Sequence, residues 1–499
     1  MPSPQSSPIH LGFVPARRGG RRSKFMNKFY ITTTLPYVNA KPHIGFALEI
    51  IQADTIARWQ KMQGKEVFFN TGTDEHGLKI YRKAEEENKD IQDYVDEYAD
   101  KFKKLMPALG ISDDVHFIRT TDEYHVKAAQ EFWKRCDQNG DIYKKNYKIK
   151  YCVGCELEKT ESESEDGKCL VHPNLDLETI EEENYFFKFS KYQDKLLDLY
   201  KNNPDFVKPD WRLKEIRNFV ADGLEDFSIS RLKEKMPWGV PVPDDEDHVM
   251  YVWFDALINY ISTLQWPSED GDYKNFWPGM QVAGKDNLRQ QSAMWQAMLM
   301  SAGLPTSTQI FIHGFITSGG QKMSKSLGNV IDPFAIAEKY SIDALRYYLL
   351  AEITPFEDGD FTIEKFEARY NADLANGLGN LVARVTNMLE KDGIKLKLEQ
   401  VGEVKLKDKI SKQMTEFKFN EALKIIWDKL RQSDEILSNK KPWEIKDVAE
   451  KKKILEPIAQ DILNVAELLQ PFMPVTAEKI IKQFSAKQIK KGESLFPRI

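Results

Sequence analysis

Three short stretches carry side chains whose types and spacing could do chemistry, two of them suited to phosphate and one to a metal ion. Residues 41–49 read Lys-Pro-His43-Ile44-Gly45-Phe46-Ala-Leu-Glu49. A glycine at 45 lets a ligand approach a helix N-terminus, where free amides favour anions, and His43 can donate a hydrogen bond to a phosphate oxygen. The tetrapeptide is weak by itself, since His10-Leu11-Gly12-Phe13 matches it in a segment with no folding pattern. Residues 319–328 read Gly319-Gly320-Gln-Lys322-Met323-Ser324-Lys325-Ser326-Leu-Gly328. Two ammonium groups in a glycine-bounded loop can neutralise charge that gathers on a polyphosphate in a transition state. The third stretch is Cys152-x2-Cys155, 13 residues, then Cys169-x2-His172. Three thiolates and one imidazole at knuckle spacing suit a closed, tetrahedral zinc site of structural type, with metal-free buried thiols as the alternative. Cys136 lies outside this spacing and reads as core.

The elements around these residues predict an α/β sheet. Phe29 to Leu35 is β-branched and aromatic and reads as a buried strand, followed by a helix from about Ile44 to Gln63. A second strand, Glu66 to Asn70, leads into the polar turn Thr71 to Gly77 and another helix. Strand–helix alternation of this kind builds a parallel sheet whose ligands sit at the carboxyl ends of the strands. The alternation resumes at Met280 to Ala283, Gln290 to Ser301 (helix) and Gln309 to Thr317, with a long interruption between about 120 and 230 that reads as an insertion. From Asn371 strand signals vanish, and Leu374, Leu378, Leu381, Val385 and Leu389 recur at helical spacing, as in a bundle.

Composition sets outer bounds. In 499 residues, 41% hydrophobic and 30% charged, no apolar run approaches a membrane span, so a membrane protein and a small disulfide scaffold are both excluded. Four cysteines, three of them clustered, predict a reducing compartment, the cytoplasm. Residues from Asn371 onward carry 24 Lys+Arg against 19 Asp+Glu, leaving 47 against 58 for the rest, a distribution compatible with a nucleic-acid partner on the basic side. Residues 1–26, rich in Pro, Ser, Gly and Arg, predict a disordered extension without the apolar core of a secretory signal.

Taken together, the His-x-Gly-x and Lys-Met-Ser-Lys-Ser stretches flanking a split sheet resemble the class I aminoacyl-tRNA synthetases. The resemblance is specifically to the methionine enzymes. It is carried by Leu35-Pro36-Tyr37, Gly72-Thr73-Asp74-Glu75-His76-Gly77, Ser228-Ile229-Ser230-Arg231, Trp238-Gly239-Val240-Pro241-Val242-Pro243, Tyr251-Val252-Trp253-Phe254-Asp255-Ala256 and Gly284-Lys285-Asp286, in family order over nearly all of 27–499. The resemblance implies a Rossmann-like split nucleotide-binding sheet (27–119 and 231–317), a connective insertion with a zinc knuckle (120–230), a Lys-Met-Ser-Lys-Ser loop with a linking domain (318–370) and an all-α anticodon-binding bundle (371–499). An insertion of about 110 residues is too short for the editing domain of the isoleucine, valine and leucine enzymes. The cysteine enzymes, the nearest alternative, place their metal in the amino-acid pocket instead.

By the same resemblance, ATP with Mg²⁺ meets His43, Gly45, Glu49, Gly284, Asp286 and Lys325, with His43, Lys322 and Lys325 as the catalytic residues that stabilise the reacting phosphates. Methionine meets Leu35, Tyr37, Asp74, Arg231, Trp253, Tyr260 and Gln291, with Asp74 taking the ammonium group and the Tyr260 hydroxyl near sulfur. Asn380, Arg384 and Trp443 read the CAU anticodon of tRNA(Met), and a monomer is expected. Two positions depart from the family pattern. Phe46 stands where a second histidine is usual, and Gln291 aligns with a histidine near methionine in many relatives. A non-catalytic tRNA-binding relative is the alternative that Phe46 suggests.

Overall fold

The computed structural model describes residues 27–155, 157–159, 163–323, 328–399 and 403–499. The N-terminal extension 1–26 lies outside them. Six strands form one wholly parallel sheet in the order His116–Arg119, Glu66–Thr73, Lys28–Thr33, Met280–Gly284, Gln309–His313, Val207–Lys208. The two halves of the chain meet where Ile31 pairs with Met280. Chain order reverses there, which opens a crevice at the carboxyl ends of those two strands.

The helix Ile44–Met62 begins where the sequence places it, because His43 is extended and caps it. It packs on one face of the sheet, in an apolar cluster that runs without a break through Tyr348 and Leu349 into Leu463, Phe472 and Ile480 of the C-terminal bundle. The other face is covered by a second cluster rich in aromatics, including Phe132, Trp133, Tyr260 and Trp295. Cys136 is fully buried in that cluster, as expected. Sheet and bundle therefore share a core.

Three features differ from the sequence reading. The run Gln309 to Thr317 is two strands, because the chain turns at Gly314, where a Cβ would lie 2.0 Å from the Glu357 carbonyl oxygen. Its second part, Ile316–Ser318, joins Gln321–Lys322 and Gly359–Asp360 in a separate small sheet. The helix expected from Gln290 opens with wide π-turns, Gln290–Met294, before Trp295–Ser301. Within 120–230, Val207–Lys208 adds an edge strand to the main sheet, while Ile142–Cys152 and Glu178–Phe187 pair antiparallel into a ribbon that carries the cysteines at its far end.

The buried stripe Leu374, Leu378, Leu381, Val385 and Leu389 lies on one long helix. This helix starts at Ile363, widens into π-turns over Tyr370–Gly379 and continues to Lys391 with helical backbone at both junctions. Four more helices, Val404–Thr415, Phe419–Lys440, Val448–Leu469 and Pro474–Phe484, complete the bundle. Among the described residues no helix is long and apolar enough to cross a membrane.

Candidate active site

His43 caps its own helix: its Nδ1 accepts the Gly45 N–H at 3.1 Å. The Ile331 carbonyl takes the N–H of Ile44, and the His43 carbonyl takes those of Phe46 and Ala47. The expected free amides are thus already occupied, and the donor left for a phosphate is the His43 Nε2–H. A Cβ at residue 45 would sit 2.9 Å from His43 Cε1, so glycine is what lets the imidazole fold back over the helix end. Phe46 points into the core, its ring edge-on to Phe102 with centroids 5.4 Å apart.

Glu49, one turn further along, is buried and fixed at both oxygens. One accepts the Thr34 N–H at 2.8 Å and its hydroxyl at 2.5 Å, and the other lies 2.8 Å from His313 Nε2. His313 Nδ1 faces the Gly314 carbonyl at 2.7 Å. Both ring nitrogens therefore meet oxygen acceptors. Burial opposes the charged form, yet the Glu49 carboxylate and the Gly314 carbonyl outweigh it and raise the His313 pKa. Gly284 ends the neighbouring strand, and a Cβ there would lie 2.8 Å from Asp286 Oδ1 and 3.7 Å from the His313 ring. Glu49, Gly284, Asp286 and His313 thus share one rim.

Across the crevice, three consecutive ionisable side chains diverge. The Asp74 backbone bridges Tyr37 and donates to the Pro36 carbonyl at 3.0 Å, which fixes its buried carboxylate beside the loop after the first strand. Glu75 accepts from Arg119 at 2.7 and 2.8 Å and from Thr73 and Thr121 at 2.6 Å each. His76 turns to Asp255, with 2.6 Å between Nδ1 and Oδ2. Tyr260 is fully buried, and its hydroxyl accepts from Gln291 Nε2 at 2.7 Å. With that lone pair used, the phenolic proton is left to be donated elsewhere. Burial first, then the charges of Glu49 and Asp74, raise the Tyr260 pKa, so both carboxylates act on this hydroxyl. Leu35, Tyr37 and Trp253 are half-buried. Arg231 donates to Ser228 Oγ and the Ser230 carbonyl at 2.7 Å each and lies 4.2 Å from the Tyr251 ring centroid.

The Lys322 backbone pairs with Thr317 in the small sheet. Asp360 steadies the preceding Gly319–Gly320 turn by accepting the Gly320 N–H at 2.8 Å and the Thr317 hydroxyl at 3.0 Å. Lys325 lies outside the described residues. In the insertion, Cys152, Cys155, Cys169 and His172 place their ligand atoms within 4.8 Å of one another. Cys155 Sγ is 3.2 Å from His172 Nδ1 and 3.5 Å from Cys169 Sγ. A Cβ at Gly154 would lie 2.8 Å from the His172 ring, so the tight loop needs glycine there. Three sulfurs and one nitrogen so gathered fit a single zinc ion.

A family model for class I tRNA synthetases (M) matches residues 29–174 and 158–386, and one for the anticodon-binding domain of tRNA ligases matches 404–498. The methionine–tRNA ligase of Thermotoga maritima is 42% identical over 487 residues, covering 94% of this chain and 77% of its own length. That of Brucella suis is 42% identical over 472 residues, covering 91% of each. The chain belongs to the methionyl-tRNA synthetases. Its fold agrees: the Mycobacterium tuberculosis methionyl-tRNA synthetase solved in complex with methionyl-adenylate superposes with a TM-score of 0.89 at 37% identity, covering 95% of this chain and all of that one.

The bundle brings two of the three expected RNA-reading residues together. The Arg384 guanidinium lies 5.3 Å from the centroid of the Trp443 ring, and Trp443 is 47% exposed. Arg384 also pairs with Asp434 at 2.7 Å. Asn380 sits one turn before Arg384 on the same helix. The sequence assigns no role to His313, His125 or Trp238. Trp238 donates from Nε1 to the Glu75 carbonyl at 2.6 Å and pins the turn that carries Asp74. The signal for His313 was present, as a histidine at the carboxyl end of a buried strand.

Proposed function

We propose that this chain is a methionine–tRNA ligase. Methionine binds with its ammonium group against Asp74 and its thioether toward the Tyr260 hydroxyl, between Leu35, Tyr37 and Trp253. Arg231 orients Asp74, and Gln291 holds the phenol. ATP, taken as its Mg²⁺ complex with the ion on phosphate oxygens, lies along His43, Gly45, Glu49, Gly284 and Asp286. A methionine carboxylate oxygen attacks the α-phosphorus, the bond to the bridging oxygen breaks, and methionyl-adenylate and pyrophosphate form. His43, Lys322 and Lys325 stabilise the charge that moves onto the phosphates, by placement and electrostatics and without a protein nucleophile. A hydroxyl of the 3′-terminal adenosine of tRNA(Met) then attacks the methionyl carbonyl and AMP leaves.

Cys152, Cys155, Cys169 and His172 would hold a structural zinc that braces the insertion. Asn380, Arg384 and Trp443 read the CAU anticodon, the exposed indole offering a stacking face and the other two polar contacts. The protein acts in the cytoplasm. The observation that carries the reading is the buried Tyr260 hydroxyl, which accepts from Gln291 Nε2 and so keeps its own proton for a further acceptor.

ATP–pyrophosphate exchange tests it, with methionine as substrate and cysteine, leucine and isoleucine as controls. Exchange with methionine alone is expected. Losing the His43 donor to a charged phosphate costs about 1.5–3 kcal/mol, so His43→Ala should slow exchange roughly 10- to 100-fold. No exchange with any amino acid, from folded protein that binds tRNA, would replace this reading with that of a non-catalytic RNA-binding relative.

A further inference from the structure

Asp255 is completely buried, and each of its oxygens meets an imidazole from a different part of the chain. Oδ2 lies 2.6 Å from His76 Nδ1, and Oδ1 lies 2.8 Å from His125 Nε2. The far nitrogen of His125 is 2.8 Å from Ser262 Oγ. Burial alone would raise the Asp255 pKa, but the two imidazoles outweigh it and hold it at about 2. The network joins the turn after Glu66–Thr73, the helix Glu123–Gln138 and the segment 252–262. Its members stand two residues from pocket residues: His76 from Asp74, Asp255 from Trp253, and Ser262 from Tyr260. A buried paired charge gains little stability over an apolar filling, and one attested use of such a group is to fix an arrangement.

We propose that Asp255, with His76 and His125, is a positioning group for methionine selection, setting the distance between the Asp74 turn and the Trp253–Tyr260 wall. The proposal rests on the reading of these three residues as the methionine pocket. Asp255 itself touches no substrate. The ATP rim is built from other segments, so a disturbed network should register on the amino acid alone.

The test is ATP–pyrophosphate exchange at varied methionine and, separately, varied ATP. Misplacement by an ångström costs up to about 100-fold, so Asp255→Ala should raise KM for methionine roughly 10- to 100-fold with KM for ATP unchanged. Asp255→Asn, which keeps one acceptor oxygen, should recover part of the loss. Should Asp255→Ala not fold, His76→Gln carries the test, because it severs only the turn and leaves the bond to His125. A loss of kcat with both KM values unchanged would mean a merely structural role and overturn the proposal. Asp74→Ala separates the two failures. If it raises KM for methionine and Asp255→Ala does not, the positioning role falls alone; if neither does, the pocket reading falls with it.

Discussion

Asp54 and Arg346 form an ion pair at 2.8 Å with both side chains completely buried. Asp54 stands on the helix that His43 caps, and Arg346 on the helix Ile342–Ala351 that leads toward the bundle. The same guanidinium donates to the Pro471 and Phe472 carbonyls at 2.9 Å each and to that of Leu109 at 3.2 Å. Burial would raise the Asp54 pKa, but Arg346 and Arg58 outweigh it and keep the carboxylate ionised. Arg346→Met should therefore destabilise the protein by about 3–5 kcal/mol, because the buried carboxylate loses one of its two guanidinium partners and the Pro471, Phe472 and Leu109 carbonyls lose their donor. Replacing Asp54 as well, by Leu, should restore part of that loss. Equilibrium unfolding in guanidinium measures both, and a single-variant loss below about 1 kcal/mol would contradict the account.

His313 predicts the direction of a pH dependence. Its folded-state pKa is raised, so its contribution to stability is complete below about pH 6.5, the unfolded value, and is lost as the pH rises through the folded value. Stability should thus fall on the alkaline side of about pH 6.5. His313→Gln, which cannot titrate, should flatten that limb, as thermal unfolding across a pH series would read.

Metal removal should act on the insertion. Elemental analysis should find zinc on the purified protein, and Cys155→Ser should abolish it. Lys79 donates to the Gly154 carbonyl at 3.2 Å and Arg82 pairs with Glu178 at 2.8 Å, so the knuckle is tied to the helix Leu78–Glu86. Chelation should open the ribbon end to proteolysis while the far-UV spectrum of the sheet persists.

The bundle predicts a separation of activities. Base stacking on an exposed aromatic contributes about 1–3 kcal/mol, so Trp443→Ala should lower kcat/KM for tRNA aminoacylation about 5- to 150-fold. ATP–pyrophosphate exchange should be unaffected. A parallel loss in exchange would place Trp443 in the fold and not in recognition.

Local signals were legible where a residue and its immediate neighbours decide the structure. The start of Ile44–Met62 follows from an extended, capping His43, and the cysteine spacing brought four ligand atoms together. Gly314 was not legible as a break, because the reason is the Glu357 backbone pressed against it from far along the chain. Val207–Lys208, two residues long, has no periodicity to detect, and its place is set by Gln309–His313. The partners of Asp255, Glu49 and Arg346 escaped notice for the same reason, since each pairing spans elements distant in sequence. The amides at residues 44–47 are not free for a ligand because Ile331, remote in sequence, and the side chain of His43 satisfy two of them.

The helix from Ile363 to Lys391 acts as a strut. At 1.5 Å per residue it extends roughly 40 Å. In its second half it carries Asn380 and Arg384; at its start, the capping residue Thr362 stands two residues after Asp360, the side chain that grips the Gly320 amide at the root of the Lys322 segment. Between these two points the helical backbone is continuous and departs from α-geometry only in the wide turns at Tyr370–Gly379. Those turns are where the strut would bend, and their stiffness sets how much of any displacement arrives.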